Sequence, residues 1–255
     1  MDAKARWAGR NQGKDSLRDE TWTALEESGA AVGEVRSKIP NFLGAEEAAT
    51  RLADLEIWKR AHVIKCNPDR GQAPVRLRGL QDGKKLYAPV PELVASFPFI
   101  ELDPVDLVRR GIAFEDVKYS EDFVRLGKPL QFGEMERMDL VIVGCVAVTR
   151  AGGRTGKGGG FADLELGIFR ETGTVNDSTP VVTTVHDVQV VNDDRILMMG
   201  HDYPLDWILT PTTTIETRTQ YKRPRGVDWV SVQTDQFDGI PFLKSLRDRF
   251  DGERR

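Results

Sequence analysis

The apolar run Leu140-Val-Ile-Val-Gly-Cys-Val-Ala-Val148 and the segment Gly152-Gly-Arg-Thr-Gly-Lys-Gly-Gly-Gly-Phe-Ala-Asp163 behind it decide the fold. The run is continuous and rich in β-branched residues, as expected of a strand covered on both faces of a sheet. The segment behind it is polar and glycine-rich, and helical periodicity resumes from Phe161 to Phe169. A buried strand, a glycine loop and a helix in that order form the unit of a parallel α/β sheet. Ligands in such sheets bind beyond the carboxyl ends of the strands. Glycines let backbone N–H groups turn toward an anion with no Cβ in the way. The helix N-terminus adds a partial positive charge, and Arg154 and Lys157 add two full ones. The loop therefore reads as a cradle for the phosphates of a nucleotide. It is not a P-loop, because Ala151 stands where the first glycine is needed and Gly158 where Ser or Thr is needed. A dinucleotide fingerprint fits poorly, since the loop follows a late strand and is too basic. The alternative reading is a flexible glycine-rich surface hairpin.

Outward from this unit, strands and helices alternate. Apolar spacing predicts helices over Lys14 to Glu27, from Gly44-Ala45 through Trp58, over Pro74 to Gln81, around Val105 to Arg110 and over Glu121 to Leu126. Strands are expected at His62 to Cys66, Lys85 to Val90, Leu140 to Val148, Val181 to Val185, Trp207 to Thr210 and Ile215 to Thr219. The fold class that follows is α/β: a three-layer α/β/α arrangement with a mostly parallel sheet in a single domain. That domain is expected over residues 14–243, between a frayed tail at 1–13 and a charged, helical or loose tail at 244–255.

The bulk numbers agree with one domain. The chain has 255 residues, 40% hydrophobic and 30% charged, enough to bury a core unaided. Its net charge of −4 comes from 36 basic and 40 acidic residues, which gives no global field for nucleic acid or an anionic membrane. The two cysteines, Cys66 and Cys145, sit in apolar contexts without a CxxC spacing and read as buried thiols. No apolar leader follows Met1, and the longest apolar run is too short to span a bilayer. The cytoplasm is therefore the default location. His62 and His186 read as structural, the five tryptophans as packing, and Lys222 to Arg225 as a loop. Arg76 and Arg78 could hold an anion or form a solvated helix face.

A second motif is His201-Asp-Tyr-Pro-Leu-Asp206. Two carboxylates four residues apart suit Mg²⁺ that also touches phosphate oxygens. The alternative is a turn capped by Asp202 and fixed by Pro204.

Together these segments resemble the 5-formyltetrahydrofolate cyclo-ligase family, the methenyltetrahydrofolate synthetases. The family loop Arg-x-Gly-x-Gly-x-Gly-Tyr-Tyr-Asp is matched by Arg154, Gly156, Gly158, Gly160 and Asp163. The family's late segment is matched by His201, Asp202, Pro204, Asp206 and Thr210, and its first helix by Lys14, Leu17 and Arg18. The motifs stand in the right order between residue 14 and about residue 212. The resemblance implies a single α/β domain and ATP- and Mg²⁺-dependent cyclisation of 5-formyltetrahydrofolate to 5,10-methenyltetrahydrofolate. In that chemistry the formyl oxygen attacks the γ-phosphate and N10 then closes on the activated carbon. The implied catalytic residues are Arg154, Lys157 and Asp69. ATP would meet Lys14, Arg18, Arg154 and Lys157, the backbone of Gly156, Gly158, Gly159 and Gly160, and Phe161 and Asp163. Asp202 and Asp206 would hold Mg²⁺. The partners implied are ATP and a reduced folate, with no nucleic acid and no membrane.

This chain also departs from the pattern. Phe161-Ala162 replaces the Tyr-Tyr pair. By spacing to Gly83-Lys84, Asp69 falls where the family has a longer Glu near the folate, and Gln72 where it has Thr. The stretches Lys38 to Ala49 and Asn67 to Arg76 resemble a subgroup of cyclo-ligase-like paralogues. That implies a second reading: a paralogue that binds nucleotide and a folate-like or other small ligand without cyclo-ligase activity. Some members of the subgroup carry an RNA-recognition domain. None is expected here after residue 220, where no aromatic string of that kind occurs.

Overall fold

In the computed structural model, which describes residues 11–93 and 97–253, helix α1 (Gln12–Glu27) opens the chain. Asn11 caps it, its side chain accepting the Lys14 N–H at 3.0 Å. The helix thus begins inside the stretch expected to fray. Residues 1–10 of that stretch, Trp7 among them, lie outside the described residues.

Five parallel strands form the centre of an eight-stranded sheet: β1 (Val63–Cys66), β2 (Lys85–Pro89), β5 (Leu140–Ile142), β8 (Val181–Thr184) and β10 (Trp207–Leu209). Three antiparallel strands finish its edges: β3 (Phe99–Leu102) and β4 (Lys128–Leu130) beyond β2, and β11 (Thr214–Glu216) beyond β10. Side chains alternate across the sheet with the period of two that pleating imposes. Leu140, Ile142, Ile64, Cys66 and Leu86 share one core. It is completed by Leu52 of α2 (Ala45–Ala53), Trp58 of α3 (Glu56–Arg60), Leu80 of α4 (Ala73–Gln81), Leu107 of α5 (Pro104–Arg109) and Phe123 of α6 (Ser120–Leu126). Val141, Tyr87 and Val181 share the other core with Leu166 and Phe169 of α7 (Phe161–Glu171) and with α9 (Leu243–Glu253). The sheet is therefore the middle of three layers in a single α/β domain.

Three expectations are corrected. Residues 44–58 form two helices, because Leu55 is extended (ψ 145°) and restarts the chain; the break seats Trp58, whose indole N–H donates to Asp82 at 2.8 Å. Residues 140–148 are two strands. β5 ends at Ile142, and the chain re-enters structure as β6 (Ala147–Thr149) in a separate sheet of order β7-β6-β9, with β7 (Arg154–Thr155) and β9 (Val190–Val191). Continuous apolarity reports burial and cannot tell one buried strand from two. Residues 244–253 take the helical form, one of the two expected, but are packed rather than a tail: Leu246 and Phe250 of α9 are 3% and 4% exposed. Among the described residues no helix is long and apolar enough to cross a membrane.

The packing of α9 makes a testable statement. Leu246→Ala should cost about 2–4 kcal/mol, as for other buried leucines. Urea unfolding measures it, and a variant as stable as the parent would return 244–253 to the status of a tail.

Candidate functional site

The carboxyl ends of β1, β2 and β5 open into a cleft of about 280 Å³, just below the usual range for small-molecule sites. Asn67 and Asp69 follow β1, Pro89 ends β2, and Gly144 follows β5, all lining the cleft. Gly144 is where β5 leaves the sheet. A Cβ there would come within 2.8 Å of Ile39 and 2.9 Å of the Asp69 carboxylate, so only glycine lets these walls approach.

The glycine loop forms the opposite wall. Gly158 and Gly160 take the left-handed backbone (φ 110° and 69°), and Gly160 is the residue before the first turn of α7. Gly160 offers no side-chain cap, so helix geometry leaves the first-turn amides of α7 directed out of its N-terminus. Phe161, Ala162 and Asp163 of that turn line the cleft, as do Gly156, Lys157, Gly158 and Gly159.

The two ends of the loop are tied together. Arg154, 3% exposed, donates to Asp163 and, through Nε, to the Tyr203 carbonyl at 2.7 Å. Asp163 in turn accepts the Tyr203 N–H at 2.8 Å. Helix α1 crosses the loop: Arg18 Nε donates to the Gly156 carbonyl at 2.6 Å and its terminal nitrogen pairs with Asp15. Lys14 pairs with Asp202, whose carboxylate also accepts the Met199 N–H at 2.7 Å. Lys14, Arg18, Arg154, Lys157, Asp69, Asp163 and Asp202 thus all line one cleft.

Asp206 does not. It lies outside the cleft, where Arg223 grips both of its oxygens at 2.5 and 2.6 Å and the Val181 N–H donates at 2.7 Å. The four-residue spacing of Asp202 and Asp206 spans a turn and strand entry, which sends the two carboxylates apart. A carboxylate that does share the cleft with Asp202, and feels its charge, is Asp163. Burial pushes its carboxyl above the ordinary range, Arg154 pulls it back, and the charge of Asp202 pushes it up again.

Several site residues carry no motif. Glu165 lines the cleft and forms a buried ion pair with Lys65, Nζ 2.5 Å from Oε2. Lys65 also donates to Asn67. Burial raises the Glu165 carboxyl and Lys65 draws it back. Lys65 sits in an apolar strand and Glu165 in an amphipathic helix, and only a charge at a position of apolar periodicity hints at them. Gly226 to Gln236 supply a further wall, from a stretch that runs from turns into a short helix at Thr234. Arg76 is neither a solvated face nor a cleft residue: it is fully buried and donates to the carbonyls of Asn67, Asp69 and Lys118. Arg78 pairs with Asp82 on the surface. His62 is exposed, while His186 accepts the Val188 N–H at 3.3 Å. Cys66 and Cys145 are buried, and burial pushes the Cys66 thiol up to about 11.

Known proteins share this chain's pattern. A model of the 5-formyltetrahydrofolate cyclo-ligase family matches residues 10–211. The methenyltetrahydrofolate synthase domain-containing protein of Homo sapiens is 35% identical over 243 residues, covering 92% of this chain and 62% of that protein. Its counterpart in Mus musculus is 37% identical over 243 residues, covering 92% and 63%. The chain thus spans about three-fifths of the length of these curated relatives. The NMR structure of Aquifex aeolicus 5,10-methenyltetrahydrofolate synthetase superposes with a TM-score of 0.51 at 15% identity, over 84% of this chain and 95% of that one. At that identity the likeness is one of fold.

Asp69 gives the cleft a pH signature. Burial raises its carboxyl above the ordinary range, and the charges of Lys157, Arg76 and Lys65 pull it back without cancelling the rise. A raised folded pKa stabilises the fold while the group is protonated, fully below the unfolded pKa, and that contribution is lost as pH rises through the folded value. Asp69→Asn mimics the protonated form. Its stability relative to the parent should therefore grow between about pH 4 and about pH 8. Urea unfolding at both ends measures this, and a difference flat with pH contradicts it.

Proposed function

The chain belongs to the 5-formyltetrahydrofolate cyclo-ligase family, and on that premise we propose that it catalyses ATP- and Mg²⁺-dependent cyclisation of 5-formyltetrahydrofolate to 5,10-methenyltetrahydrofolate. The observation that carries this reading is the single cleft in which the glycine loop at the head of α7 faces the carboxyl ends of β1 and β5. One wall suits phosphates, and the other suits a second, flatter ligand between Ile39, Pro89, Val90 and Leu164.

Phosphoryl transfer of this kind asks a protein for positioning and charge neutralisation. The glycine loop and first-turn amides of α7 offer donors to the triphosphate, and Lys157 offers a full charge beside them. Arg154 and Arg18 hold the loop: Arg154 commits Nε and one terminal nitrogen to the Tyr203 carbonyl and Asp163, and Arg18 commits Nε and one terminal nitrogen to the Gly156 carbonyl and Asp15. Lys14 reaches a phosphate only by exchanging Asp202 for it. Asp69 and Asn67 supply polar contacts to the second ligand at the floor.

A bound Mg²⁺ would supply positive charge against that of the phosphates. The donor set fits it at Asp202 and Asp163. Each is a hard carboxylate in the cleft whose Oδ2 or Oδ1, respectively, is committed to protein donors, which leaves the other oxygen for a cation. Asp206 does not fit, because Arg223 occupies both of its oxygens.

Near-ultraviolet absorbance of the methenyl product, with 5-formyltetrahydrofolate, ATP and Mg²⁺ supplied, tests the reading. Turnover should be on the order of 1 per second or faster. Lys157→Ala should weaken ATP binding about tenfold, the effect of one charge-assisted contact. ATP binding without product would move the assignment to a nucleotide-binding paralogue. Unchanged ATP affinity in Lys157→Ala would remove the loop from the nucleotide site.

A further inference from the structure

The family model ends at residue 211, yet a wall of the cleft comes from residues 226–236. Within that wall one side chain reaches the glycine loop itself. Gln236 lies in α8 (Thr234–Gly239), is 6% exposed, and donates from Nε2 to the Gly159 carbonyl at 2.9 Å. Its other terminal atom is committed as well: Oε1 accepts the Gln233 N–H at 2.9 Å in the capping box of α8. The amide is therefore locked in one orientation, with its donor turned to the loop.

The peptide it holds is one of the two in Gly158-Gly159-Gly160 that have glycine on both sides. Glycine stands on both sides of the Gly159–Gly160 bond, so rotating that peptide plane meets no Cβ barrier. In one orientation the carbonyl faces α8 and, across the planar trans peptide, the Gly160 N–H faces the opposite way. In the flipped orientation the carbonyl oxygen is turned to the side that the N–H had occupied and opposes any phosphate oxygen there. Space is close on both sides: a Cβ on Gly159 would lie 2.5 Å from the Phe161 ring, and one on Gly160 would lie 3.4 Å from Gln236 Nε2.

We infer that Gln236 is a positioning residue for the phosphate cradle: by holding the Gly159 carbonyl it fixes the Gly159–Gly160 peptide in its anion-accepting orientation. The inference rests on the phosphate reading of the loop. Its effect falls on the phosphates and not on the base, so ATP and inorganic tripolyphosphate should respond alike.

The test is Gln236→Glu, which keeps the shape, replaces the donor with a carboxylate oxygen and repels the Gly159 carbonyl. Calorimetry with ATP and with tripolyphosphate should show about tenfold weaker binding of both. Amide exchange should rise in the 154–163 peptide while α8 stays protected, because the Glu carboxylate still accepts the Gln233 N–H. Unchanged affinity for both ligands overturns the inference. So does a rise in exchange spread evenly over α7 and α8, which marks a merely structural contact. If the parent chain binds neither ligand, the proposed function fails by itself. The exchange experiment then decides the positioning role alone: a local rise supports it and an unchanged pattern overturns it.

Discussion

Arg154 holds the site together. Its buried guanidinium joins β7 to the first turn of α7 through Asp163 and to the Tyr203 carbonyl, and Asp163 returns to the Tyr203 N–H. Loop, helix and the 199–205 segment are closed into one ring of hydrogen bonds. A loop this rich in glycine loses much conformational entropy on ordering, and the ring is what offsets that cost. Burying the guanidinium is tolerable because its charge is matched by Asp163 and its donors meet fixed acceptors.

The same economy of charge runs through the cleft. Lys14 has Asp202, Arg18 has Asp15, Arg154 has Asp163 and Lys65 has Glu165. Breaking one such buried pair by removing a single partner leaves an uncompensated charge and is strongly destabilising. Basic residues in the motifs are thereby drawn into architecture as much as into ligand contact. Backbone amides, which carry no counter-ion of their own, become the natural anion donors of the loop.

The layered fold was legible from particular residues. Leu140 to Ile142 read as a two-faced buried strand and is one, with Leu140 and Ile142 in one core and Val141 in the other. Phe161 to Phe169 read as a helix behind a glycine loop and lies within α7. Short elements escaped notice. Phe99–Leu102 and Lys128–Leu130 are the last two strands toward one edge, paired antiparallel, and three or four residues carry too little periodicity to announce a strand. Of the residues expected at the site, Asp206 read as a partner of Asp202 on spacing and on the family resemblance, and Arg223, 17 residues away, claims it instead.

By itself the sequence determined what local chemistry determines: alternating elements, a glycine loop between a buried strand and a helix, and the family to which those motifs belong. Burial patterns and the backbone freedom of glycine act over a few residues, so they can be read along the chain. Tertiary structure alone decided which charges meet. Lys65 finds Glu165, Lys14 finds Asp202 across 188 positions, and Gln236 reaches Gly159 from beyond the matched region. Ion pairs and carbonyl contacts act over a few ångströms in space and leave no period in the sequence. The residues that hold the cleft in shape therefore became visible only once the chain was folded.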